Sequence, residues 1–243
     1  MIVGLVSSYR EGNLVTGAVR SLLPAVDCVK VLDAPVEGAT HEGPPSNFRP
    51  FQRNHAVDVQ SYAQPFADDA AKRTWLLKWA QKKKAEWAVI VDGDEILLWG
   101  EHVPAWIERA DLEGDDGEPV AGVPLRLVEL DGSAAMLQTR ILRPALFESY
   151  AISSHVLVTK AGQRVALPNA QICISGGHPL TPPFELDPHS EDGLRWLAYH
   201  RTPLQGEPHL LHRSLWRHTA RTVERQHVAE ARTLVEKPEL WTP

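Results

Sequence analysis

The sequence predicts an α/β protein: a mixed, mainly parallel sheet flanked by helices, running on into an antiparallel region and a C-terminal helix. Three observations predict it. Short apolar runs at residues 2–6 and 87–91 are rich in Val and Ile and do not alternate, as strands covered on both faces do not, and Val29-Lys30-Val31-Leu32 reads as a further strand. Between them lie two stretches of helical spacing, residues 14–23 and 68–84. The strand–helix–strand order with short links calls for right-handed parallel units. Beyond residue 119 the pattern changes to strand-like segments at 120–130, 134–143 and 151–159, the first two joined by the hairpin signal Asp131-Gly132. The first 100 residues thus read as parallel α/β and the rest as largely antiparallel, fused into one domain over residues 1–243.

Each element has a local reason. The first strand begins almost at the first residue and ends in the polar loop Ser7-Ser8-Tyr9-Arg10-Glu11-Gly12-Asn13. The helix that follows carries apolar residues at 14, 15, 18, 19, 22 and 23, with Asn13 as the expected N-cap and Pro24 as its stop. Asp33 closes the second strand. Residues 34–66 hold five prolines and two glycines and read as a long loop, ordered by a ligand, with Arg49, Arg53 and Asn54 within it. The helix over 68–84 opens on Asp68 and Asp69, where the dipole favours negative charge, and closes on Lys82 to Lys84. Its apolar stripe is Trp75, Leu76, Trp79 and Ala80. A short helix over 104–110 and a strand over 165–174 complete the readable elements before a Pro-rich loop reaching Pro188.

Composition excludes several classes. The 243 residues are 43% hydrophobic, enough for a substantial core, and the net charge of −6 argues against a wholly basic nucleic-acid binder. Cys28 and Cys173 are the only cysteines and form no CxxC, so neither a disulfide framework nor a cysteine zinc site is implied. No apolar run approaches the ~18 residues of a membrane span, and no leader pattern opens the chain. The expectation is a soluble, cytoplasmic protein with no membrane span. The loop after the first strand lacks GxGxxG and GxxxxGK[ST], the dinucleotide and P-loop fingerprints.

The chemistry concentrates in Trp87-Ala88-Val89-Ile90-Val91-Asp92-Gly93-Asp94-Glu95. A buried strand delivers three carboxylates to the rim of a sheet, where open α/β folds bind ligands. Crowded like charges repel, and a hard divalent cation with oxygen ligands removes that cost. Gly93 lets the backbone turn so that Asp92 and Asp94 face one ion. An acidic turn closing a strand would have the same composition.

Asp92-Gly93-Asp94 after a hydrophobic strand resembles the DXD motif of GT-A (Rossmann-like) glycosyltransferases, especially the family-2-like ones. The resemblance implies a cofactor, manganese or magnesium, held by Asp92 and Asp94 against the diphosphate of a UDP- or GDP-linked sugar. It also implies that the opening loop, with Ser7, Tyr9 and Glu11, and the strand-closing Asp33 lie on the nucleotide. Lys72 and Arg73 match the place of an early helical basic residue that touches the donor diphosphate, although the usual Arg-Asn pair is absent. Many inverting members carry a Glu-Asp pair opening a late helix. Ser190-Glu191-Asp192 fits it, which makes Asp192 the candidate catalytic base, with Asp187, Glu185 and Asp131 as rivals. A late His often completes the metal shell. His212 is the candidate, in competition with His209, His178 and His200. The antiparallel half would be the acceptor side.

The C-terminal segment stands apart. Residues 195–232 hold seven Arg, five His, three Glu and neither Asp nor Lys, a charge of +4 with His neutral against −6 for the whole chain. Arg213, Arg217, Arg221 and Arg225 recur every fourth residue, a basic stripe on a helix whose planar donor forks suit phosphate. Arg213 is therefore a further donor-phosphate candidate. The same stripe would suit docking on the acidic body, or DNA. A hydroxymethylated DNA base is one acceptor that fits, beside a protein side chain, a small metabolite or a polysaccharide precursor.

The reaction implied is transfer of a sugar to an acceptor hydroxyl with inversion. Competing readings are a nucleotidyltransferase, although the Gly-rich loop it would need after Val6 is missing. A metal-dependent phosphohydrolase and a non-catalytic nucleotide-sugar or nucleic-acid binding module complete the set.

Overall fold

A computed structural model describes residues 1–38, 43–112, 120–129, 135–151, 156–166, 172–173 and 208–212. In chain order these form β1 (Ile2–Ser8), α1 (Leu14–Leu22), β2 (Cys28–Asp33), β3 (Val57–Ser61), α2 (Asp69–Lys82), β4 (Trp87–Asp92), β5 (Glu95–Leu98) and α3 (Val103–Leu112). Then follow β6 (Val120–Glu129), β7 (Ala135–Leu142), β8 (Phe147–Ala151), β9 (Val156–Thr159), β10 (Arg164–Ala166), β11 (Ile172–Cys173) and β12 (His209–His212). The predicted C-terminal helix and the Asp131-Gly132 turn lie outside the described residues.

The predicted mixed α/β class is what the chain adopts. The main sheet runs β3-β2-β1-β4-β7-β6-β12-β5, with β11 pairing β6 off this path. Its first four strands are parallel, β1 lying between β2 and β4. β7 then adds antiparallel to β4, and β6 antiparallel to β7. The antiparallel half is thus continuous with the parallel one. β8, β9 and β10 make a separate three-stranded antiparallel sheet.

Both faces of β1, β2 and β4 are covered, which is why they read as mainly apolar runs. Val6, Val29, Val31, Val89 and Val91 pack with Val15, Val19 and Leu22 of α1 and with Val103 and Ile107 of α3. On the other face Val3, Leu5, Ala88 and Ile90 meet Leu76, Leu77 and Ala80 of α2, backed by Phe147 and Leu157 of the small sheet. Asp68 caps α2, its carboxylate accepting from Ala71 N–H at 2.6 Å. Leu77 rather than Trp75 or Trp79 is fully buried. The two tryptophans flank the buried Lys30 ammonium at 5.4 and 5.9 Å from their ring centres, with Asp58 at 2.9 Å. Among the described residues no helix is long and apolar enough to cross a membrane.

Four expectations change. Asn13 makes no side-chain cap on α1; its Oδ1 accepts from Asn47 Nδ2 instead, at 2.8 Å. The segment 34–66 contains β3, paired parallel with β2, and a 3-10 turn at Arg49–Phe51. The strand expected over 151–159 begins earlier and is split into β8 and β9, and the one over 165–174 is divided between two sheets. The stretch 43–47 is fastened down by hydrogen bonds within the chain. Gly12 N–H donates to Pro44 O at 3.2 Å, Asn47 N–H to Gly12 O at 2.8 Å, and Arg10 Nε to Gly43 O at 2.8 Å.

Gly43 is where this strap touches the opening loop. A Cβ there would lie 2.1 Å from Arg10 O, a backbone atom that cannot swing aside. Gly43→Ala is therefore expected to lift the strap and cost about 2 kcal/mol, the scale of overpacking. Urea unfolding would show it. An unchanged midpoint would mean that the strap does not support the fold.

Candidate active site

The site forms where the parallel strands end. Register places Ser7 beside Asp92 and Ser8 beside Asp33, so β1, β2 and β4 bring their polar C-terminal residues to one rim. The chain turns sharply after Asp92: Gly93 N–H donates to Ser7 O at 2.8 Å, and Asp92 N–H donates to Glu95 Oε2 at 2.8 Å. Gly93 is required by close approach. A Cβ there would meet Glu11 Cγ at 2.9 Å and Ser8 Oγ at 3.0 Å. The resulting cleft holds about 570 Å3 of atom-free space, its open mouth included, and is lined by Ser7, Ser8, Tyr9, Glu11, Val36, Asp69, Lys72, Arg73, Asp92 and Asp94. Its location is the usual one for ligands on open α/β sheets.

Two cations from the first turns of α2 face the acidic turn. Lys72 is buried, and its Nζ donates to Ser8 O and Ala34 O, both at 2.8 Å, tying the ends of β1 and β2 together. Burial brings its ammonium down to about 8, against the upward pull of Asp69, Asp92 and Asp33. Arg73 donates through Nη2 to both oxygens of Asp92, at 2.6 and 2.9 Å, and through Nε to Asp69 at 2.9 Å. These carboxylates hold the guanidinium charged despite its burial.

Behind them lies a second, deeper pair. Arg140 of β7 is 5% exposed and donates to Glu95 Oε1 at 2.6 Å, while its Nη1 and Nη2 reach Asp92 Oδ2 at 3.4 and 3.5 Å. Burial pushes the Glu95 carboxyl up, to about 7; Arg140 pulls the other way, and Asp92 and Asp94 add to the rise. Tyr150 of β8 is fastened to α2. Its N–H donates to Thr74 Oγ1 at 2.8 Å, and its buried hydroxyl, pushed up by burial, lies within electrostatic reach of Arg73, Arg140, Asp92 and Asp69.

Of the residues singled out in the sequence, Ser7, Tyr9, Glu11, Lys72, Arg73, Asp92 and Asp94 are brought together around this cleft. Asp33 does not line it; its carboxylate accepts from Ser46 Oγ at 2.7 Å, which also takes the Glu11 N–H at 3.1 Å. His212 is carried by β12 to a register position opposite Glu95 on one side and Glu129 on the other. Asp192 and Arg213 lie outside the described residues, as do Asp187, Glu185, Asp131, His178 and His200. Sequence reasoning missed Arg140 and Tyr150. Arg140 had a faint signal, a charge directly before the apolar pair Ile141-Leu142 within the expected strand.

Among the described residues no group of three or more His, Cys, Asp or Glu is gathered to hold a metal ion. The donor chemistry still fits a hard cation of the magnesium type, which takes one or two carboxylates and completes its shell with substrate phosphates. Asp94, 1% exposed and on the cleft wall, is such a carboxylate. Asp92, paired with Arg73, is a second carboxylate on the same wall.

Neither a protein-family model nor a curated protein matches the chain. Similar solved structures include S. aureus TarS, with 16% identity and a TM-score of 0.39 over 60% of this chain and 28% of that one. A 1–349 form of S. aureus TarS gives 17% and 0.36, over 60% and 47% of the two chains. A 4-diphosphocytidyl-2C-methyl-D-erythritol synthase gives 16% and 0.37, over 60% and 77%. The match therefore spans 28% and 47% of the two TarS chains. At these scores the function of this chain has to be read from its own residues.

Proposed function

We propose that this chain is a glycosyltransferase of the GT-A kind, which moves a sugar from a UDP- or GDP-linked donor to an acceptor hydroxyl with the help of manganese or magnesium. The observation that carries the reading is the cleft at the ends of β1 and β4, lined by Lys72, Arg73, Asp92 and Asp94, with Arg73 paired to Asp92. A site that gathers two cations and two carboxylates suits a diphosphate bound together with a metal ion. Ser7, Tyr9 and Glu11 frame the nucleotide end, and Asp33 supports that end through Ser46. Lys72 and Arg73 receive the diphosphate, and Arg213 adds to them. Asp94, Asp92 and His212 supply the metal ligands. When bound, the cation contributes Lewis-acid neutralisation of the departing nucleoside diphosphate.

Asp192 takes the proton of the acceptor hydroxyl. The acceptor oxygen bonds to the anomeric carbon as the bond from that carbon to the diphosphate oxygen breaks, and the configuration inverts. The basic C-terminal stripe makes a hydroxymethylated DNA base one acceptor to assay, beside protein, metabolite and glycan hydroxyls.

Calorimetric titration of UDP and GDP, with manganese present or chelated, tests this on wild type and Asp94→Ala. The expected result is binding of one nucleotide that needs both the metal and Asp94, with affinity lowered on the order of 100-fold in the variant. Binding of neither nucleotide, or binding indifferent to metal and to Asp94, removes the reading. Turnover that releases a pyrophosphate instead of a nucleoside diphosphate would move it to nucleotidyl transfer.

A further inference from the structure

The Asp92 carboxylate is held as a ligand's phosphate would be held. Arg73 Nη2 contacts both of its oxygens, at 2.6 and 2.9 Å. Arg140 lies beyond the second oxygen at 3.4 and 3.5 Å. The Tyr150 hydroxyl is buried in a residue only 6% exposed and has no hydrogen-bond partner among the described residues. The backbone N–H of Tyr150 is hydrogen-bonded to Thr74, next to Arg73, and the charges of Arg73 and Arg140 act on its hydroxyl. A buried hydroxyl without a partner costs on the order of 1–3 kcal/mol. An anion with a third oxygen would remove that cost, whereas the two-oxygen carboxylate leaves the hydroxyl unused. Each arginine also keeps a tether when Asp92 departs. Arg73 Nε stays on Asp69 at 2.9 Å, and Arg140 Nη2 stays on Glu95 at 2.6 Å. The donors would therefore remain in place for an incoming group.

We propose that Asp92 is a placeholder in an oxyanion subsite made by Arg73, Arg140 and Tyr150. A phosphate group displaces the carboxylate from Arg73, and the released Asp92 becomes available to a divalent cation. The inference rests on the diphosphate reading of the cleft and deepens it. It makes phosphate and cation mutually dependent through the chain itself, because each needs the Arg73–Asp92 pair to open. One anion replaces another on Arg73, and a divalent cation replaces the guanidinium at Asp92. Tyr150 donates its hydroxyl proton in a hydrogen bond to the phosphate and does not ionise.

The test uses inorganic pyrophosphate in the presence of chelator, so that neither nucleoside nor metal is involved. Asp92→Asn is expected to bind it at least ~10-fold more tightly than wild type, because the competitor for Arg73 is gone. Tyr150→Phe in the Asp92→Asn background should lose most of that gain, and Arg73→Gln in the same background should lose all of it. A gain that survives Arg73→Gln is generic charge removal and overturns the subsite, as does equal or weaker binding by Asp92→Asn. Should Asp92→Asn fail to fold, Tyr150→Phe alone decides the matter through the same pyrophosphate titration. Binding several-fold weaker than wild type is expected, and unchanged binding overturns the proposal. Failure of UDP and GDP to bind alongside a positive pyrophosphate result would remove the nucleotide reading and leave the subsite standing.

Discussion

Arg140→Met is expected to remove about 3–5 kcal/mol of stability at pH 8, seen as a lower urea midpoint. Arg140 is the only described cation within salt-bridge distance of Glu95, and both side chains are nearly inaccessible, at 5% and 1% exposure. Removing the arginine leaves a carboxylate in a region that cannot solvate it. A buried ion pair contributes little net stability, but breaking one from a single side is costly. The loss should depend on pH. Glu95 lies above its ordinary 4.5, at about 7, through burial. Between those values the folded chain binds more protons at this group than the unfolded chain does, so its contribution falls as pH rises. Without Arg140 the carboxyl moves higher still and the window extends upward, so the variant should recover toward pH 5 by protonating Glu95. Arg140→Met with Glu95→Gln should restore much of the loss at pH 8, since no charge remains to be compensated. A deficit equal at pH 5 and pH 8, or one that the double variant does not reduce, would show that Arg140 acts through packing rather than charge.

The parts of the fold that could be read from the sequence were those whose residues answer to a single environment. β1, β2 and β4 are covered on both faces, so apart from Lys30 and the polar strand ends their positions are apolar or glycine and the runs announce themselves. α1 is legible for the complementary reason, since one stripe faces the sheet and the other faces solvent. β3 was lost because Val57-Asp58-Val59-Gln60-Ser61 is a half-buried strand in Pro-rich surroundings, and its pairing with β2 decides its state. β5 and β12 have four residues each and pair with one another across more than a hundred positions of sequence, a relation no local pattern carries. The candidate site divides in the same way. Asp92, Gly93 and Asp94 are adjacent in sequence and were visible together. Arg140 and Tyr150 approach them only because β7 pairs with β4 and α2 packs on β8. The sequence shows that carboxylates crowd at a strand end, but only the fold shows which cations compensate them.

Lys72→Met should abolish a rise in stability that wild type shows on the alkaline side. The folded value of Lys72 is about 8 against an ordinary 10.5. Between the two the unfolded chain binds more protons, so stability increases with pH, by about 3 kcal/mol over the interval at 1.36 kcal/mol per unit. Deprotonation does not break the local structure, because a neutral amine still carries two hydrogens for Ser8 O and Ala34 O. Methionine has neither charge nor hydrogens. The variant therefore loses both carbonyl contacts at all pH values and gains nothing between pH 8 and 10.5. The difference in urea-unfolding free energy between the two proteins, followed from pH 7 to 10.5, isolates this group from other titrations. A difference that stays constant would mean that Lys72 is not held at a depressed value. The same strain explains what the residue is suited for. At neutral pH Lys72 is kept charged on a cleft wall that disfavours the charge, beside carboxylates that only partly compensate it. An anionic ligand supplies the missing compensation and raises the ammonium value, so binding of a diphosphate at pH 8 should take up about half a proton. Calorimetry in buffers of different ionisation enthalpy measures that uptake. No uptake in wild type, or equal uptake in Lys72→Met, would place the ligand's charge away from this lysine.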